Sequence, residues 1–332
     1  MRAVVLIDEL LYDPDDPHFS RRGPRKVSEA EYYVCDALRR LGHEVTAVPA
    51  AVDIVAAINN IRAARPDFVF NLVEDIGGHR QYDNLLVQVL EVMNIPYTGA
   101  SPDTLVLTRN KHLSKLVVAE AGVPVPKGVI IERKNATSLR DVPLPAIVKP
   151  LALDGSDGIT SRSYVNSRDA LRRSVSELLG SSRGPLLCEE YVPGREIIVT
   201  LSGTKEVTVD SICELVFPET SRIKFATQRA KFDAKYRESV GIHYRTPTQL
   251  DPQTERRVVD AARTAYRALR INSYAKVELR VSDERAVFIE ANANSQMSRL
   301  AKSTDFASIG YERFVAKIVA MALERRNPAK TL

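Results

Sequence analysis

Short apolar runs recur through the first third of the chain, each followed by a stretch with helical spacing. Ala3 to Ile7 reads as a buried strand. Ser28-x-x-Glu31 has the form of a capping box and opens a helix that stops at Gly42. His43 to Val48 reads as a second strand, Val52 to Ala64 as a helix, and Asp67 to Leu72 as a third strand. Strands alternating with helices imply a parallel sheet with helices on its faces. The polar segment Asp8 to Lys26 interrupts this rhythm, and it is too long for a tight βα turn. It reads equally as a functional loop or as a surface insertion.

Further along, Leu85 to Met93 is helical, and Asp103 is expected to cap a helix over Thr104 to Glu120 that ends at Ala121-Gly122. Val129 to Ile131 and Pro145 to Pro150 read as strands, and Ser167 caps a helix ending at Gly180. Leu186 to Tyr191, Glu196 to Leu201 and Lys205 to Val216 are strand-like. Ser221 to Thr248 is basic and aromatic without apolar periodicity, so it reads as a long loop. A helix is expected from Asp251-Pro252 to about Arg270. Another is expected from Ile309 to Leu323, with Phe314, Val315, Ile318, Val319 and Ala322 on one face.

Between those two helices lie SYAKVELRV (Ser273 to Val281) and AVFIEANAN (Ala286 to Asn294), joined by the polar turn Ser282 to Arg285. This is a hairpin pattern. Alternation puts Lys276, Glu278 and Arg280 on one strand face, and Glu290 and Asn292 on one face of the next. Two carboxylates, an amide and a lysine on neighbouring strands suit Mg²⁺, which takes one or two carboxylates plus phosphate oxygens. A solvated sheet face would give the same pattern.

Composition narrows the classes. With 332 residues, 44% hydrophobic and 27% charged, the chain is an ordinary globular sequence long enough for two or three domains. The net charge of +5 is spread along the chain, which suits an anionic ligand such as a nucleotide and is no nucleic-acid signature. Three cysteines without a CxxC and five scattered histidines indicate neither a disulfide framework nor a zinc site. Asp8 and Glu9 cut short the first apolar run, and no run approaches the roughly 20 residues of a membrane span. The expectation is a cytoplasmic protein with no membrane or nucleic-acid partner.

The candidate chemistry is a nucleotide site. Lys111, mid-helix, and Lys149, ending a strand, can neutralise phosphate. Gly155-Ser156-Asp157-Gly158 offers backbone N–H groups to phosphates. Glu189 and Glu196 flank a turn and could accept hydrogen bonds from an adenine amine and ribose hydroxyls. The set Glu278, Glu290 and Asn292 would hold the metal. Each signal alone is weak, and their order is the evidence.

That order resembles the ATP-grasp ligases, and within them the D-alanine–D-alanine ligases. The segments that carry it are FNLVED, IPYTG, NKHLSK with AGVPVPKG, IVKP, DGSDGI, EEYVPGREI, FDAKY, YAKVELR and FIEANAN, covering most of the chain from Phe70 onward. The resemblance implies an α/β, ATP-grasp α+β fold. A parallel α/β domain (1–104) would precede a central ATP-grasp subdomain (105–187) and a C-terminal ATP-grasp subdomain with the metal site (188–332). It makes Lys111 and Lys149 the phosphate- and adenine-contacting lysines, and Ser156 the serine of the loop over the phosphates. Glu189, Tyr191 and Val192 become the adenine hinge, Glu196 the ribose carboxylate, and Lys235-Tyr236 the pair on a closing loop. Glu278, Glu290 and Asn292 become the ligands of Mg²⁺ or Mn²⁺, and Lys276 stands where the family has an arginine that steadies the acyl-phosphate oxygens. Family members are commonly dimers, so a homodimer is expected by analogy.

Departures fall on the amino-acid side. Ser295 and Gln296 replace a Pro-Gly, Ala301 stands for a carboxylate-gripping serine, and the glutamate that holds the first amino group falls near Lys26. Arg280, Arg299 and Lys302 are candidates for a substrate carboxylate, and Asp13, Asp15 and Asp16 for a cationic amine, although solvated surface charge explains each as well. The expectation is an ATP-dependent carboxylate–amine ligase acting through an acyl phosphate on small-molecule carboxylate and amine substrates other than two D-alanines. Two alternatives are a ligase for a peptide or protein terminus and a non-catalytic ATP-binding protein.

Overall fold

The computed structural model describes residues 1–19, 29–50, 52–132, 139–153, 156–181, 184–221, 224–246, 249–295 and 310–325. Its first sheet is parallel, as the alternating pattern implied. Strand β1 (Arg2–Asp8) lies between β2 (Glu44–Ala50) and β3 (Phe68–Asn71), and helices α1 (Glu29–Arg40) and α2 (Ile54–Ala64) make the crossovers. β1 is buried from Ala3 to Asp8, which is why it reads as a continuous apolar run rather than an alternating one.

After α3 (Asp83–Val92) the single helix expected over Thr104 to Glu120 is two. Helix α4 (Pro102–Arg109) starts from Ser101 with Pro102 in its first turn, so Asp103 is not its cap. Asn110 leaves the helical conformation, and its side chain accepts the N–H groups of His112 and Leu113 to start α5 (Lys111–Glu120). Asparagine is among the best residues at that position, and its preference wins over the apolar periodicity that runs through it.

The second sheet is antiparallel, in the order β4 (Gly128–Ile131), β7 (Leu186–Glu190), β5 (Ala146–Pro150), β6 (Tyr164–Val165). Helix α6 (Arg168–Ser181) packs beneath it through Leu171 and Val175. The third sheet begins with β8 (Arg195–Ser202) and β9 (Thr208–Val216). The stretch expected to be loop then forms α7 (Gln228–Phe232), α8 (Ala234–Val240) and β10 (His243–Arg245). Thr227 caps α7 and Asp233 caps α8; such short helices leave no periodicity to read. Helix α9 (Pro252–Ala268) leads to the hairpin of β11 (Tyr274–Val281) and β12 (Ala286–Asn292), and the sheet order is β10-β9-β8-β11-β12.

One core joins the first and third sheets: Val4 and Leu6 of β1 belong to the same buried cluster as Val199, Val277, Phe288 and Tyr266 of α9. A second lies across the other face of the first sheet. There α10 (Tyr311–Glu324) buries Phe314, Val315, Ile318 and Val319 together with Val34 and Leu38 of α1. The closing helix is thus folded back onto the start of the chain, and its predicted face is the buried one. Ser28, Ile309, Arg299, Ala301 and Lys302 fall outside the described residues. Among those described, no helix is long and apolar enough to cross a membrane.

Candidate active site

The second and third sheets meet along a cleft, and the hairpin pattern places its floor. In register, Glu278 faces Glu290 and Lys276 faces Asn292, so the two carboxylates, the amide and the lysine expected together are brought together. A register shift after Glu278 is the one departure from regular pairing in that hairpin.

At one end of the cleft is an apolar slot. Tyr164, Tyr191 and Phe225 meet edge-on and stacked, with ring centroids 5.1 to 6.5 Å apart, against Ile147 and Ile159. The slot runs from the β7–β8 turn, where Val192 and Glu190 line it, to Ser156 and Lys149. Gly194 in that turn has φ +131°, and a Cβ there would come within 2.5 Å of the Val281 carbonyl oxygen, so only glycine lets the turn pass so close to β11. At the other end is a polar chamber of about 270 Å³, lined by Glu74, Arg80, Asp157, Lys231, Lys276 and Asn292 among others. Glu278 and Glu290 line both and stand where the two join.

Ammonium groups converge on these carboxylates. Lys149 pairs with Glu189 Oε1, and Lys115 Nζ lies 3.2 Å from Oε2. Burial pushes the Glu189 carboxyl up, but the two lysines override it and hold it below the usual range. Burial brings Lys115 down to about 8 against the attraction of Glu189. Lys111 Nζ is 3.2 Å from Glu290 Oε2 and also donates to the Leu153 carbonyl. Lys111 is the first residue of α5, not mid-helix, which aims it into the cleft from the break between the two helices at Asn110. Burial raises the Glu290 carboxyl, and Lys111, Lys231, Lys149 and Lys115 together hold it well below the usual value.

Lys231 and Lys115 were not singled out in the sequence. Lys115 follows Lys111 by one helical turn, a spacing that places both on one face. Nothing in the pattern marks Lys231. It sits on α7, 5% exposed at the side chain, with Nζ 2.6 and 2.8 Å from the two Glu278 oxygens and 3.4 Å from Glu290 Oε1. Lys235, by contrast, is exposed, and Tyr236 packs with Leu215, Ala230 and Ile242 under the Arg229 guanidinium; neither lines the cleft.

Arg280 is buried and lines the slot. It donates from Nε to the Val192 carbonyl at 3.0 Å and from Nη1 to Glu196 Oε2 at 3.2 Å and the Lys224 carbonyl at 2.8 Å. Glu196 also accepts the Ala226 N–H at 2.9 Å. Its carboxyl is raised, by burial first, against the opposing pull of Arg280. Ser156 lies in left-handed backbone (φ 64°) at the slot's inner end. Its neighbour Asp157 is tied to Arg80 at 3.2 Å and to Gln228 at 2.7 Å, so this loop is pinned from two sides of the cleft. Asp13 is spent on a local turn, accepting the Asp15 N–H.

Residues 117–320 match the family model described as the D-ala D-ala ligase C-terminus. The chain belongs to the D-alanine–D-alanine ligase family. A D-alanine–D-alanine ligase of Methylobacterium radiotolerans is 30% identical over 86% of this chain and 88% of its own length. One of Gluconobacter oxydans is 26% identical over 87% and 92%. The structure of the Bacillus anthracis D-alanine–D-alanine ligase complexed with ATP superposes with a TM-score of 0.72 at 18% identity, covering 98% of both chains. The fold is therefore ATP-grasp, and this member of the D-alanine–D-alanine ligase family is an ATP-dependent carboxylate–amine ligase, forming C–N bonds.

The donor set fits a hard divalent cation. Among the described residues no three His, Cys, Asp or Glu side chains form a closed metal cage. Two facing carboxylates, and an Asn292 oxygen that already accepts one N–H (Asn294, 3.1 Å), open onto a chamber with space for phosphate and water. That is how Mg²⁺ is usually held.

Proposed function

We propose that this ligase activates a carboxylate as an acyl phosphate and joins it to an amine, on a substrate pair other than two D-alanines. The observation that carries this reading is the position of Glu278 and Glu290, at the junction of an aromatic slot and a polar chamber, with lysine ammonium groups around them. The slot suits a planar base and the chamber suits the groups that react.

In this reading Tyr191 and Val192 hold the adenine and Glu196 the ribose. Glu189 orients Lys149, which with Lys111 neutralises the phosphates, beneath Ser156 and its loop. Glu278, Glu290 and Asn292 would hold Mg²⁺, which supplies charge neutralisation on the phosphates when bound. A substrate carboxylate oxygen attacks the γ-phosphorus and ADP leaves. The amine then attacks the carbonyl carbon, the C–O bond breaks with its electrons on phosphate, and the amine gives up one proton. The lysines serve by position and charge, which is most of what phosphoryl transfer asks of a protein. Lys276 lies beside this step as a cation for the tetrahedral oxygens. Lys231, rather than Lys235, is the helix-borne lysine assigned to the phosphate end, and Tyr236 reaches the cleft only if α8 moves.

The division into 1–104, 105–187 and 188–332 is kept as part of the proposal, with β7 crossing the second boundary. A different substrate pair is supported by Ser295, whose buried hydroxyl stands where the family has proline. Release of ADP and phosphate from Mg·ATP, screened with D- and L-amino acids singly and in pairs, tests the reading. Release that needs two amino acids and yields a dipeptide mass is expected. Efficient turnover of D-alanine alone into its dipeptide would overturn the substrate part, and unchanged turnover in Lys149→Met would overturn the site.

A further inference from the structure

The two carboxylates proposed for the metal already face an ammonium group at every oxygen. Lys231 Nζ lies 2.6 and 2.8 Å from the two Glu278 oxygens and 3.4 Å from Glu290 Oε1. Lys111 Nζ lies 3.2 Å from the remaining oxygen, Glu290 Oε2. Two negative charges are thus met by two positive ones, and three of the four oxygens turn to Lys231. Its ammonium takes the place of a bound cation, on a side chain only 5% exposed.

A divalent cation and this ammonium compete for the same oxygens. Mg²⁺ needs oxygens at about 2.0–2.1 Å and gives up its water reluctantly. A carboxylate pair whose charge is already balanced offers it little, and any Glu278 oxygen it took would bring it against Lys231, where like charges repel. The helix that carries Lys231 is fastened. Thr227 accepts the Ala230 N–H at its start, and Arg237 Nη1 donates to the Ala230 and Lys231 carbonyls at 3.3 and 3.0 Å. Gln228 of the same helix holds Asp157 at 2.7 Å. The backbone of α7 is therefore fixed, while the four-carbon lysine stem is free to carry the ammonium elsewhere. Lys231 lines the polar chamber, where the ligase reading puts the phosphates. Phosphate oxygens there compete with Glu278 and Glu290 for it.

We propose that Lys231 is a resident counter-ion: it keeps free divalent cations off Glu278 and Glu290 in the empty cleft, and it yields those carboxylates when the phosphates of ATP draw its ammonium away. Cation and nucleotide then bind as a unit. The proposal rests on the ligase reading for the identity of the metal set, and adds to it that a side chain of this protein governs when that set is open.

The test is Mn²⁺ binding by calorimetry, with no turnover, in the presence and absence of a non-hydrolysable ATP analogue. It compares the wild type with Lys231→Met, Lys231→Gln and Lys231→Arg. The glutamine variant keeps hydrogen-bond donors near the carboxylates, should the methionine variant fail to fold. Lys235→Met, which removes an exposed lysine and changes the net charge equally, is the control. Without nucleotide, Lys231→Met and Lys231→Gln are expected to bind Mn²⁺ about tenfold or more tighter than the wild type, and Lys231→Arg and Lys235→Met within about twofold of it. The factor by which the analogue tightens Mn²⁺ should shrink correspondingly in the two uncharged Lys231 variants. Equal Mn²⁺ affinity in the wild type and both uncharged variants overturns the proposal, as does an equal gain in Lys235→Met. Adding Glu290→Gln to Lys231→Met should abolish the gained binding. Gained binding that survives it would place the cation elsewhere and overturn the metal-set reading. No Mn²⁺ bound by any form, with or without the analogue, overturns both.

Discussion

Glu278 and Glu290 stand opposite each other on β11 and β12, and the Lys231 ammonium lies within 3.4 Å of both. Two facing carboxylates would repel, and the helix α7 delivers the cation that offsets them. Burial alone would lower the Lys231 ammonium, but Glu278, Glu290 and Glu196 raise it above the usual lysine value. Lys231→Met should therefore destabilise the protein by about 3 kcal/mol, the low end for breaking a buried ion pair. Mg·ATP should restore much of it by taking over the carboxylates. Thermal unfolding with and without Mg·ATP checks this, and an equal loss in both conditions would separate Lys231 from the proposed metal site.

Glu290→Gln and Lys149→Met each remove one charge from the junction of slot and chamber. Each should lower kcat/KM by about 10²-fold or more, the scale for losing one preorganised electrostatic contact. Glu290→Gln should also raise the Mg²⁺ concentration needed for half-maximal ADP release. An unchanged Mg²⁺ dependence would remove Glu290 from the proposed metal set.

Arg280 fastens the β7–β8 turn, at the Val192 carbonyl, to Glu196 and to the Lys224 carbonyl through three hydrogen bonds, and its guanidinium lies 5.5 Å from the Tyr191 ring centre. Arg280→Met should raise the KM for ATP by about tenfold, the value of roughly one buried charge-assisted bond. The KM of the amino-acid substrates should stay near its wild-type value. A rise in the amino-acid KM alone would return Arg280 to the acceptor role that its sequence position suggested.

Glu31 gives a pH signature. Its folded carboxyl sits at about 7 against 4.5 for the ordinary group. Between those values the folded chain holds a proton that the unfolded chain has released, so stability falls as pH rises through the window. Among the described residues, Asp8, Cys35 and Tyr311 are the titratable groups that face it, and all disfavour its charge or are neutral there. Unfolding free energy should drop by up to about 3 kcal/mol from pH 5 to 8 on this account. Glu31→Gln should flatten that slope. A slope unchanged in the variant would assign it elsewhere.

Asn110 starts α5 and so sets where Lys111 points. Asn110→Ala should cost about 1 kcal/mol by losing the cap and raise the KM for ATP through Lys111. A loss of Tm with no change in KM would show that α4 and α5 hold their break without it.

The chain itself determined the large features, because burial imposes a period on residue type. The parallel first sheet, the β11–β12 hairpin and the buried face of α10 are all periodic over enough residues to be read. Lys276, Glu278, Glu290 and Asn292 were legible for the same reason, since strand alternation puts them on one side. Other features rest on one residue or on contacts across the fold. The break at Asn110 turns on a single cap. Lys231 meets Glu278 across 47 residues of sequence, and Glu31 of α1 shares a recess with Ser295, which follows β12. Arg280 faces the aromatic slot because the Val192 carbonyl and Glu196 lie beside it. No local pattern records such pairings. They are decided by which buried charges find partners when the sheets pack, and tertiary structure alone supplies that.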